Sequence, residues 1–101
     1  MIIYNVTVKV ELFIAGNWLA WLKEEHIPDM INTGCFTHAT ILRLLELDDS
    51  GGPTYAVQYH AESDVLYYHY IEKFSDKMRK KGTDKWGNQF IAFRTVMQVV
   101  H

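Results

Sequence analysis

The chain has 101 residues, enough for one continuous core and too few for two. Its 49% hydrophobic and 22% charged residues exclude a disordered chain, and a net charge of −2 excludes an overall field that draws in nucleic acid or an anionic membrane. The single cysteine, Cys35, excludes an intramolecular disulfide and fits a reducing compartment.

The opening MIIYNVTVKVELF carries no basic leader, no signal-like apolar core and no run long enough to span a bilayer, so a cytoplasmic location is expected. Within it Tyr4, Val6, Val8, Val10 and Leu12 alternate with Ile3, Asn5, Thr7, Lys9 and Glu11, a period of two that predicts a strand with one apolar face. Gly16 and Asn17 end that strand and can cap a first helix beginning near Asn17, in which Trp18, Leu19, Trp21 and Leu22 face inward and Lys23, Glu24 and Glu25 face water. Pro28 removes the N–H that would bond the Glu24 carbonyl, so this helix must kink or restart. The segment PDMINTG suits one more turn closed by Gly34 as a left-handed C-cap.

From Cys35 to Leu47 the β-branched and apolar content predicts a second strand, followed by the acidic, glycine-rich hairpin DDSGGP. That loop lacks the Lys-Ser/Thr of a phosphate loop. TYAVQYH is a third strand, with Tyr55, Val57 and Tyr59 on one face. Near Ser63 or Asp64 a long second helix starts, striped by Leu66, Tyr67, Tyr70, Ile71, Phe74 and Met78, weakening at Gly82 and ending at Gly87. The basic run KMRKKGTDK lies toward its C-terminus, where cations complement the helix dipole, a reading preferred to a phosphate-binding patch. FIAFRTVMQVV closes the chain as a fourth strand with two distinct faces.

The order βαββαβ is the α+β, ferredoxin-like plan for residues 1–101: a four-stranded antiparallel sheet with both helices on one face. Asn5, Thr7, Lys9, Gln58, Ala92, Arg94, Val96 and Gln98 are expected on the open face. The second strand is apolar in both registers, so either Phe36, His38, Thr40 and Leu42 or Thr37, Ala39, Ile41 and Arg43 join them. Apolar residues in both phases imply burial on both faces, which favours a second subunit packing there.

Four stretches, MIIYNVTVKV, WLKEEHIPDMINTG with the following Phe36, GGPTYAVQY and GNQFIAFRTVMQVV, resemble in order the signature segments of a small uncharacterised bacterial family of about this length. That family is grouped with the dimeric α/β-barrel superfamily, which includes antibiotic-biosynthesis monooxygenases and muconolactone isomerases. The resemblance implies two ferredoxin-like subunits packed sheet against sheet, with a histidine at the end of the first helix, and no activity that carries over.

His26 lies four residues from both Leu22 and Met30, on the inner stripe of the helix, unlike Glu24 and Glu25. It reads either as a general base or substrate hydrogen-bond partner at the mouth of a helix–sheet cleft, or as a cap for carbonyls freed by Pro28; Asp29 can orient its ring in either case. Trp18 and Tyr67 are expected to wall an apolar pocket, or simply to pack the core. Arg94, between Ala92 and Val96, calls for a carboxylate partner such as Glu11 or one across the dimer, or for an anionic ligand, and His38 and Gln58 are expected as further ligand contacts. No HExxH or paired CxxC is present, so neither metal nor cofactor is expected. Cys35 reads as an inert thiol, out of water.

RNA-recognition domains share this topology but stack bases on open-face aromatics, whereas Asn5, Thr7 and Gln58 stand there and TYAVQY does not fit their motif. Two functions remain: a homodimer binding a small apolar or aromatic molecule near His26, or a structural or regulatory dimer without chemistry.

Overall fold

The computed structural model describes residues 1–101 and places four strands in one antiparallel sheet of order β2-β3-β1-β4. Strand β1 (Ile2–Val10) is central, flanked by β3 (Thr54–Ala61) and β4 (Phe90–Gln98), and β2 (His38–Arg43) forms the far edge. The expected ferredoxin-like fold is therefore present. Helical segments α1 (Ala15–Trp21), α2 (Ile27–Asn32), α3 (Asp64–Lys73) and α4 (Ser75–Trp86) supply the cover for the sheet face that carries Tyr4, Val8, Val57 and Tyr59. Trp18, Leu22, Met30, Tyr70 and Met78 close the core from the helix side.

The first helical region begins earlier than Asn17, with a 3₁₀ turn at Leu12–Ile14 running into α1. Ahead of Pro28 the helix changes its hydrogen-bond pattern and restarts, as expected. It widens into a π turn, Leu22–His26, in which the Ile27 N–H donates to the Leu22 carbonyl, and then resumes as α2 with Pro28 in its first turn. Gly34, at φ 79°, ends α2 as expected.

Ser63 caps α3 by accepting from the Leu66 N–H at 3.3 Å. The break in the second helical region falls at Phe74, not at Gly82. Its cause is local: the buried Ser75 hydroxyl donates to the Ile71 carbonyl at 2.7 Å, a back-bond that bends helices. Gly82 sits in uninterrupted helix, and Gly87, at φ 60°, stops it.

Strand β2 is shorter than the Cys35–Leu47 expectation because Cys35 and Phe36 turn into the core before pairing begins. The hairpin that follows folds against the end of β1, with Val10 N–H donating to the Pro53 carbonyl at 3.0 Å. Gly52, at φ 139°, is required there: a Cβ would lie 1.7 Å from the Val10 carbonyl oxygen.

Register settles which side chains face which way. Val6 is opposite Arg94 and Val8 opposite Ala92, so Ala92, Arg94, Val96 and Gln98 share the helix-covered face with Tyr4 and Val6, contrary to the expectation that they lie on the open face. The open face of β4 instead carries Ile91, Phe93, Thr95 and Met97 beside Lys9, Thr7, Asn5 and Ile3. For β2 the pairing of His38 with His60 and Thr40 with Gln58 puts His38, Thr40 and Leu42 on the open face.

Candidate functional site

Between the π turn, α4 and the sheet lies a cleft with a cavity of about 70 Å³, several times the space one water needs. Its floor is Val6, Val8 and Val57 from the sheet; Trp18, Trp21, Leu22 and Met30 wall one side, Met78 and Gly82 another, and Phe90 and Ala92 the β4 side. Small side chains at Gly82 and Ala92 leave the space open. Only three lining residues are ionisable other than as phenols: His26, Arg79 and Arg94.

His26 reaches this cleft because the π turn keeps it in line with Leu22 and Met30, both buried. Its ring stacks on Trp21, with centroids 4.7 Å apart and planes 20° from parallel. The Nδ1 atom is buried and has no hydrogen-bond partner, so His26 does not cap the carbonyls near Pro28. Burial lowers its pKa to about 4; Asp29 pulls it upward, while Lys81 and then Arg94 push it down further. At neutral pH the ring is therefore uncharged.

Asp29 does not orient that ring. Its carboxylate pairs with the Lys81 ammonium at 3.0 Å, in a second, shallow and polar depression shared with Trp21, Glu25, Asp84 and Lys85. Arg94 forms no ion pair, with Glu11 or any other carboxylate of the chain; it is exposed at the cleft edge, close enough to influence both His26 and Tyr70. Arg79, which had no distinguishing pattern within its basic run, stands with it and donates to the Tyr4 hydroxyl at a long 3.5 Å. Burial raises the pKa values of Tyr59 and Tyr70, so both phenols stay protonated. Tyr70 donates to the Met30 sulfur at 3.3 Å.

The expected site residues thus separate into groups. Trp18, His26 and Arg94 converge on the cleft. Tyr67 lies outside it, packed 5.8 Å from the Tyr4 ring. His38 and Gln58 belong to the opposite sheet face, where the His38 and His60 rings stack at 4.1 Å. Cys35 is buried, with its sulfur 3.8 Å from the Thr33 carbonyl. No three His, Cys, Asp or Glu side chains are grouped as metal ligands would be, and no helix is long and apolar enough to cross a membrane.

A family model described as a domain of unknown function, DUF4286, matches residues 1–100. The chain belongs to the DUF4286 family. No curated protein matches it. Among solved structures, this DUF4286 chain is similar to a dimeric ferredoxin-like protein from an uncultured marine organism, at TM-score 0.72 and 10% identity over 99% of this chain and 95% of that one. It is also similar to an ethyl tert-butyl ether d (ethd) family protein from Bacillus halodurans, at TM-score 0.66 and 9% identity over 99% of this chain and 100% of the other. A de novo designed protein with ferredoxin fold matches at TM-score 0.50 and 18% identity, over 100% of this chain and 89% of its own. At these identities the DUF4286 chain shares with all three the fold alone.

Proposed function

We propose that this DUF4286 protein is a homodimer that binds a small apolar or aromatic molecule in the cleft beside His26. The observation that carries the reading is the cleft itself: thirteen of its 17 lining residues are hydrophobic, and a buried, unpartnered His26 Nδ1 lies among them. An apolar recess with few polar groups is the common form of a small-molecule site.

Binding is favoured over acid–base catalysis because a histidine held near pKa 4 is a weak base at neutral pH. His26 serves as a hydrogen-bond partner that stays uncharged, and Trp21 fixes its plane.

The dimer rests on the open sheet face. Phe93, Ile91 and Leu42 are 68%, 59% and 44% exposed there, while Asn5 Oδ1 and His60 Nε2 are out of water without partners. A second copy laid on this face would remove the apolar surface from water and could supply those missing bonds. One structural neighbour is described as dimeric. The lone, buried Cys35 is compatible with work in the cytoplasm.

The test is a thermal-shift screen of small aromatic compounds against the wild type and Ala92→Leu, which fills the cleft from β4. Compounds that raise the wild-type Tm and leave the variant unmoved support the cleft. A hit that stabilises both equally binds elsewhere, and a screen without hits leaves a dimer with a structural role.

A further inference from the structure

The charged groups of the cleft all have one sign. Apart from phenols and the uncharged His26, its only ionisable lining residues are Arg79 and Arg94, and neither is paired with a carboxylate of the chain. Of the carboxylates nearby, Asp29 holds Lys81 at 3.0 Å and Asp84 holds Lys80 at 2.6 Å, while Asp76 on α4 attracts Arg79 without forming an ion pair with it. The two guanidinium groups come from different elements, α4 and β4, yet both line the one cleft.

Guanidinium is planar, stays charged at any working pH, and matches a carboxylate with two parallel N–H donors. The remaining lining is aromatic and aliphatic, with no Ser, Thr, Asn, Gln or Lys. A compact, strongly hydrated dianion such as phosphate would find few donors there beyond the arginines and phenols, whereas an apolar ring bearing one carboxylate matches both halves of the site. A cation would meet repulsion from both arginines.

Resting on the cleft reading above, we propose that the ligand class is a monocarboxylic acid with a small planar or aromatic body, its carboxylate held by Arg79 and Arg94 and its body laid between Trp21 and Phe90. The neutral His26 faces the same space, so a bound carboxylate would raise the pKa of that imidazole.

The experiment is calorimetric titration of the full chain with benzoate and, separately, with benzamide, which keeps the ring and removes the charge. Benzoate is expected to bind at least about tenfold more tightly, and Arg94→Gln and Arg79→Gln each to weaken benzoate by about that factor and benzamide, whose carbonyl accepts only neutral–charged hydrogen bonds, by clearly less. Both arginines are solvent-exposed, so neither substitution removes core packing. In parallel, the imidazole proton signals of His26 should titrate at higher pH with benzoate present. Equal binding of the two compounds, or benzoate binding unaffected by both substitutions, overturns the carboxylate assignment and leaves the cleft intact. Binding of neither compound overturns the assignment and removes support from the cleft reading as well.

Discussion

Trp21 and His26, five residues apart, lie ring on ring at 4.7 Å because a π turn separates them. The stack keeps the imidazole out of water, and the energetic consequence has a definite sign. The unfolded chain takes up a proton near pH 6.5, while the folded chain resists it until about pH 4. Stability from this source is complete above 6.5 and is lost as pH falls toward 4, by at most about 3 kcal/mol. Chemical denaturation of wild type and His26→Phe across that interval should show a shallower acid loss in the variant. Parallel profiles would mean that His26 protonates freely in the fold.

The Asp29–Lys81 pair should affect charge more than stability. Both side chains are about two-fifths exposed, at 41% and 39%, so breaking the pair costs less than about 1 kcal/mol. Asp29 raises the His26 pKa and Lys81 lowers it. By NMR titration, Asp29→Asn should move it further down and Lys81→Met should move it up; the reverse order would contradict the charge arrangement.

Two glycines should respond oppositely to alanine. At Gly52 the new Cβ would collide with the Val10 carbonyl at 1.7 Å, in a backbone conformation L residues avoid, and a loss of about 3 kcal/mol or more is expected. At Gly82 it would meet Phe90 and Trp21 at 3.7 and 3.9 Å, ordinary contact, and the helix would gain up to about 1 kcal/mol. Because those two rings wall the cleft, Gly82→Ala should also weaken ligand binding. Denaturation midpoints and one binding isotherm check both halves.

On the open face, Phe93→Glu should convert a dimer to a folded monomer, measured by light scattering with circular dichroism unchanged. Phe93 is 68% exposed within one chain, so the substitution disturbs no core of its own subunit. A wild type that is already monomeric at micromolar concentration contradicts the proposed assembly.

The fold was legible because the alternation in β1 and β3 and the stripe of α3 each bury one clear face. The phase of β4 was not, because Ile91, Phe93 and Met97 look like core residues while the small Ala92 and charged Arg94 look like surface. Only pairing with β1 shows that Arg94 lies opposite Val6, and that the apolar side is the one left uncovered. His26 was readable from its four-residue spacing to Leu22 and Met30. Arg79 was hidden in a run of basic residues, and no local pattern could mark it; its place depends on how α4 crosses the sheet. The break at Phe74 had a signal in Ser75, whose hydroxyl competes for the Ile71 carbonyl.

Central to the account is that the helix–sheet cleft, not the open sheet, receives the ligand. The most direct measurement is an NMR titration with benzoate, following the side chains of Trp21, His26 and Arg94 together with Thr7 and Phe93 on the far face. Shifts that saturate together at Trp21, His26 and Arg94, with Thr7 and Phe93 still, are the predicted result. Shifts at Thr7 and Phe93 while Trp21 and His26 remain unmoved would contradict it.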